Sequence, residues 1–246
     1  MLDLVVVGVA AVLTSILSAV AGLGGGMILL LVIAQFVAPT VAIPIQGAIQ
    51  LVSNSSRAVL LRSSIAWPVV GWASILLLPA TFLGVALATT LPEDAIRLAL
   101  AAFVLVFAWR PQLLKRAGAT AEHLTKTRTM LVTVGAMSGF LNATVGASGP
   151  MTSPFYKAVT ASHMAFVATA ATAQIGAHVS KLIAFSAAGW SIGEHVDLIA
   201  VGIAGVLLGS WIGTRLLGWV PEQGLDTLFK VVLTALAGRL ILRVLI

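Results

Sequence analysis

The sequence predicts an all-α polytopic membrane protein with two homologous halves of about five helical segments each, one of them short and preceded by glycine in each half. Three observations carry this. Of 246 residues, 59% are hydrophobic and only 9% charged, and the mean hydropathy is +1.08; so few charges cannot solvate a soluble globule of this size. Apolar runs recur along the whole chain, many of about 20 residues, long enough as helix to cross a hydrocarbon layer of roughly 30 Å. The third observation is an internal repeat. Cysteine is absent, which excludes disulfides, thiolate metal sites, iron–sulfur clusters and cysteine nucleophiles.

The repeat divides the chain into an N-terminal transmembrane unit (1–109), a basic loop (110–128) and a C-terminal transmembrane unit (129–246). Ala21-Gly22-Leu23-Gly24-Gly25-Gly26-Met27 aligns with Val145-Gly146-Ala147-Ser148-Gly149-Pro150-Met151 at an offset of 124 residues. Gln50, Asn54, Ser56 and Arg57 fall on Gln174, His178, Ser180 and Lys181 at the same offset. Trp67 meets Trp190 after a one-residue slip, Leu83-Gly84 meets Leu208-Gly209, and Pro92-Glu93 meets Pro221-Glu222.

Each half opens with a spanning helix, at about 2–21 and 129–145. The first imitates a secretory signal, with Ala19-Val20-Ala21 resembling a cleavage site. It is read as retained, because Asp3 stands where a signal carries Lys or Arg and the run is long enough to span. A Gly-rich break follows, then a short apolar segment (27–38; 151–161). Twelve residues of helix cover only about 18 Å, so these segments are half-helices, re-entrant, or short crossings. Three further helices complete each half. Four crossings per half give parallel repeats and five give inverted ones. Arg57 and Arg62 follow the third segment of the first half, whereas Glu194 and Asp197 follow it in the second, a swap of charge that favours inversion. Lys181, Arg239 and Arg243 argue the other way.

Most of the net charge of +6 lies in one stretch, where Arg110, Lys115, Arg116, Lys126 and Arg128 face Glu122 alone. This reads as a cytoplasmic loop obeying the positive-inside bias rather than a nucleic-acid surface. Ala80, Gly84 and Ala88, matched by Gly205, Gly209 and Gly213, put small residues on one helical face for close backbone approach. Trp67, Trp109, Trp190 and Trp219 lie near helix ends, as an interfacial belt requires.

Polar groups inside a bilayer are expensive, which makes them the candidates for function. Gln50, Asn54 and Arg57 occupy i, i+4 and i+7 of the third segment, and Gln174, His178 and Lys181 do so in the second half. Each stripe ends in a cation. The breaks, with Gly24, Gly25 and Gly26 in the first and Gly146, Ser148 and Gly149 in the second, each precede a short helix whose free N–H groups and positive dipole end favour an anion. No Asp or Glu falls mid-span, so a carboxylate proton relay is not expected. Together these describe a small mid-membrane anion site at the junction of the halves. Gly146-Ala147-Ser148-Gly149 also matches the GxSG pattern of rhomboid-type serine proteases, with His178 or His195 downstream as a base, but such an enzyme has no need of a second, symmetry-related break. Asn142-Ala143-Thr144 has the form of a glycosylation sequon, yet sits in an apolar helix and reads as incidental.

The Gly-rich run, the short segment, the polar third helix ending in basic residues, and Leu-Gly-x-x-[Leu/Ile]-[Ala/Gly]-Thr followed by Pro-Glu in both halves resemble the TauE/SafE family of sulfite and sulfonate exporters. The resemblance covers nearly the whole chain. It implies a non-enzymatic exporter of a small sulfur-containing anion in a bacterial inner membrane, with Gly22 to Gly26 and Gly146 to Pro150 as paired breaks around the substrate. Arg57 and Lys181 would supply charge, and Gln50, Asn54, Gln174, His178, Ser148 and the break backbones neutral donors. The alternative, an importer of the same anions, opposes a membrane potential that is negative inside and requires ion coupling. The expected partners are the anion and the bilayer, with a homodimer left open; no cofactor, metal or nucleic acid is expected.

Overall fold

The apolar runs fold as helices. A computed structural model of the chain describes residues 1–21, 25–110, 112, 128–216 and 222–246, and among these it contains eleven α-helices, two single 3₁₀ turns and no strand. The first half holds α1 (Leu2–Ala21), α2 (Gly25–Ile33), α3 (Pro39–Leu60), α4 (Trp67–Ser74), α5 (Leu77–Thr90) and α6 (Glu93–Trp109). The second holds α7 (Arg128–Thr144), α8 (Gly149–Val159), α9 (His163–Ala187), α10 (Val196–Leu216) and α11 (Glu222–Leu245). Gly24, Lys115, Arg116, Glu122, Lys126, Trp219 and Pro221 lie outside the described residues.

Helix starts follow local chemistry. Proline occupies the first turn of α3, α4 and α8, where its missing N–H costs nothing. Ser162 caps α9 by accepting from the Ala165 N–H at 3.1 Å. Pro79 lacks the N–H that would bond the Ile75 carbonyl, and the helix breaks there into α4 and α5, bent by 45°. That bent pair and Ile192–Gly213 each have the length and apolarity to cross a membrane. α3 and α9 are as long but carry the polar stripes.

The distribution of polarity is inverted relative to a soluble protein. Large apolar side chains such as Leu13, Leu83, Leu208 and Trp211 are exposed, while Gln46, Asn54, Thr81, Asn142, Ser148, Thr169, His178 and Lys181 are buried. This arrangement suits a hydrocarbon solvent. A buried cluster on α2, α3, α6 and α11, including Leu29, Ile33, Ile45, Leu100, Val104 and Leu233, forms the main apolar core.

Two helix pairs join the halves at close range. α1 runs along α10 in the same direction: a Cβ on Gly8 would meet Val201, one on Gly205 would meet Ala11, and one on Gly209 would fall on the Val12 carbonyl. α4 and α5 run likewise along α7, where added Cβ atoms at Gly135 and Gly139 would fall on the carbonyls of Ala73 and Leu77. The small residues are therefore contact points between backbones. Ser15 adds a hydrogen bond to the Val206 carbonyl at 3.0 Å. α3 and α9, by contrast, run antiparallel, since Gly47 faces Lys181 while the Ala66 N–H donates to Thr169 Oγ1 at 3.0 Å.

These directions sort the charges. Following the chain, Arg57, Arg62, Arg110, Arg128, Lys157 and Arg215 gather at one end of the bundle, and Asp3, Glu93, Asp94, Glu194 and Asp197 at the other. Arg97, Lys181, Arg239 and Arg243 are basic residues toward the acidic end; Arg97 pairs with Glu93 at 3.2 Å, and Arg243 donates to the Gln35 carbonyl at 2.6 Å.

Candidate functional site: a polar cavity between two broken helices

The short segments are half-helices. α2 has 9 residues and α8 has 11, about 14 and 17 Å of helix at 1.5 Å per residue. α2 begins beside Thr14 and Ser18 of α1 and is met at Gly26 by Gln46 and Gln50 of α3. Gln50 and Gln174 lie near the midpoints of α3 and α9. Both short helices therefore start at mid-depth and run to opposite ends. At the second break Gly146 has φ 67°, a conformation suited to glycine, and a side chain there would strike Leu30.

Between these starts lies a cavity of about 130 Å³, below the roughly 300–1,000 Å³ of pockets that hold drug-sized ligands. It extends from the midpoint toward the Arg57 end. Gln50, Asn54, Arg57, Gly26, Gly146, Ser148, Gly149, Gln174 and His178 all line it, which brings nine of the twelve residues singled out in the sequence to one place. Gly25 instead packs on the Thr14 carbonyl, Gly24 lies outside the described residues, and Lys181 is set behind the wall. The Lys181 ammonium donates to Gln46 Oε1 at 3.0 Å and to Asn142 Oδ1 at 2.8 Å. Its stripe position points it inward, and Gly47 leaves room for its stem to pass across α3.

Four polar lining side chains escaped the sequence reading: Gln46, Ser18, Thr152 and Ser153. Gln46 is one turn before Gln50 on the same stripe, but its partner at the 124 offset is Ala170, so symmetry did not mark it. Asn142, taken for an incidental sequon, is fully buried and donates to Gln174 Oε1 at 3.3 Å. Its partner at that offset is Ser18, a signal that was present.

The arrangement favours an anion. Arg57 is the only charged side chain lining the cavity among the described residues, and no carboxylate lines it. The starts of α2 and α8 line the same space through Gly26 and Gly149, and a helix start favours negative charge. Gln174 Nε2 reaches Ser148 Oγ at 3.1 Å, and Ser138 Oγ lies 2.9 Å from that hydroxyl. Ser148 is thus bonded to an amide and a hydroxyl, not to an imidazole; His195 stacks on Trp190 toward the opposite end. His178 Nδ1 is buried without a hydrogen-bond partner among the described residues.

A bundle that is apolar outside, with a polar cavity at the meeting of two half-helices, is the architecture of a membrane transporter. A family model described as Sulfite exporter TauE/SafE matches residues 7–240, and the chain belongs to that family. The family's members are transporters rather than enzymes. No curated protein and no solved structure matches.

Proposed function

We propose that the protein exports a small sulfur-containing anion, sulfite or an organosulfonate, across a bacterial inner membrane, by alternating access at a central site between two inverted repeats. The observation that carries this is Arg57 in a small, acid-free cavity flanked by two helix starts. A guanidinium binds oxyanions in a planar fork, and the neutral donors of Gln50, Asn54, Gln174 and Ser148 replace lost hydration. The antiparallel course of α3 and α9, and the exchange of α1 and α7 between halves, support inversion. Basic residues concentrate on the cytoplasmic side of membrane proteins, so the cavity faces the cytoplasm and loads from it. A potential negative inside favours outward movement of each negative charge by about 2.3 kcal/mol per 100 mV. Export then needs no coupling ion.

The test is uptake of radiolabelled sulfite by proteoliposomes in the presence of unlabelled sulfonates of increasing size. Methanesulfonate is expected to compete and a bulky aromatic sulfonate to leave uptake unchanged. Equal competition by both would contradict a cavity of this size, and uptake no greater than in empty vesicles would remove sulfite as substrate.

A further inference from the structure

We propose that Lys181, Gln46 and Asn142 seal a second anion site, the counterpart of the open cavity, which is exposed at the acidic end when the protein changes state; this rests on the transport reading above. The α9 wall of the open cavity is made by Phe166, Val167, Ala170 and Ala171. Their partners at the 124 offset are Ala42, Ile43, Gln46 and Gly47 on α3. There the matching space is filled. Ala42 and Ile43 are fully buried, Ile43 and Leu30 pack on Gly146, and the stem of Lys181 lies against Gly47.

The two repeat-related cations therefore stand in opposite situations. Arg57 lines an open cavity, whereas Lys181 has no exposed surface and is held by two amide oxygens, with no carboxylate among the described residues in an ion pair with it. A dry cation with only neutral partners is an unfavourable arrangement inside a bilayer. It becomes intelligible as the closed phase of a site whose open phase offers Lys181 an anion and water. Gln46 and Asn142 are the latch. Gln46 Nε2 reaches the Gly26 carbonyl at 3.3 Å, and Asn142 reaches Gln174. One chain of hydrogen bonds thus runs from the first break through Lys181 to Ser148 at the second. An anion that takes the donors of Gln174 and Ser148 pulls on the Asn142 bond and loosens the seal.

The chain has no cysteine of its own, so single cysteines report alone. Ile43→Cys and its counterpart Val167→Cys are placed in the full-length protein in sealed vesicles and exposed to a membrane-impermeant maleimide from each face. Val167→Cys, which also verifies folding, is expected to react from the Arg57 end. Ile43→Cys is expected to react only from the acidic end, several-fold faster when Asn142→Ala removes the latch. Methanesulfonate is expected to slow that reaction, and Lys181→Gln to abolish the protection. An Ile43→Cys that stays unreactive, or reacts from the same face as Val167→Cys, overturns the second cavity. Absent protection, or protection that survives Lys181→Gln, overturns its anion site. Sulfite uptake with an unreactive Ile43→Cys leaves the function standing and this proposal fallen; reactive Ile43→Cys without sulfite uptake does the reverse.

Discussion

Lys181 shows how one side chain is fixed by the room its neighbours leave. Its ammonium bonds Gln46 and Asn142 because Gly47 has no side chain to block the path. Removing Asn142 takes away one acceptor and leaves a dry cation, so Asn142→Ala is expected to destabilise by about 1–3 kcal/mol. Lys181→Met is expected to destabilise by a similar amount, because two buried amides lose their partner. The double variant removes both ends of the Lys181–Asn142 bond and leaves neither of them unpaired, so its loss should fall short of the sum by about 1 kcal/mol or more. Thermal unfolding in detergent checks this, and strict additivity would contradict the pairing. At this scale the sequence was informative wherever spacing alone places a group: Gln50, Asn54 and Arg57 share a face by arithmetic. It was silent where placement depends on a gap in another helix, as at Lys181, and misleading at Asn142, whose sequon form masked a buried amide.

At the scale of elements, helix contacts are set by glycines whose missing Cβ atoms admit a neighbouring backbone. Gly209 faces the Val12 carbonyl of α1, and backbone cannot move aside as a flexible side chain does. Gly209→Leu is expected to destabilise by about 1–3 kcal/mol or more through overpacking. Gly238 in α11 has nothing among the described residues within 4 Å of a built Cβ, so Gly238→Ala is expected to be neutral or to stabilise by up to roughly 1 kcal/mol from helix propensity. Thermal unfolding of the two variants tests the contrast, and equal losses would contradict the contact map. The order of helical segments was legible because apolar runs of spanning length leave few alternatives, but where one segment was expected the first half holds two helices, α4 and α5. The bend between α4 and α5 was equally available from Pro79, whose ring position dictates the break. What pairs with what was not available: small residues announce that α5 and α10 approach something, but not that their partners are α7 and α1 of the other half.

At the scale of the whole molecule, the polar interior, the segregated charges and the one-sided cavity make a single arrangement. The two short helices bring positive dipole ends to mid-depth from opposite directions, and Arg57 adds a full charge on the side where the cavity lies. Leu30, Ile43 and Lys181 fill the other side. A solute held at the centre of this structure is reached from the Arg57 end, which fits the alternating access proposed above. The charge of that solute follows from the lining, whereas its identity as a sulfur anion rests on the family to which the chain belongs. The most direct measurement is uptake of radiolabelled sulfite into proteoliposomes under an imposed potential, comparing the wild type with Arg57→Gln and with empty vesicles. The account predicts wild-type uptake that rises when the lumen is made positive and falls about 10- to 100-fold in Arg57→Gln, from the roughly 1.5–3 kcal/mol of a hydrogen bond to a charged group. Uptake indifferent to the potential and undiminished in Arg57→Gln would contradict it.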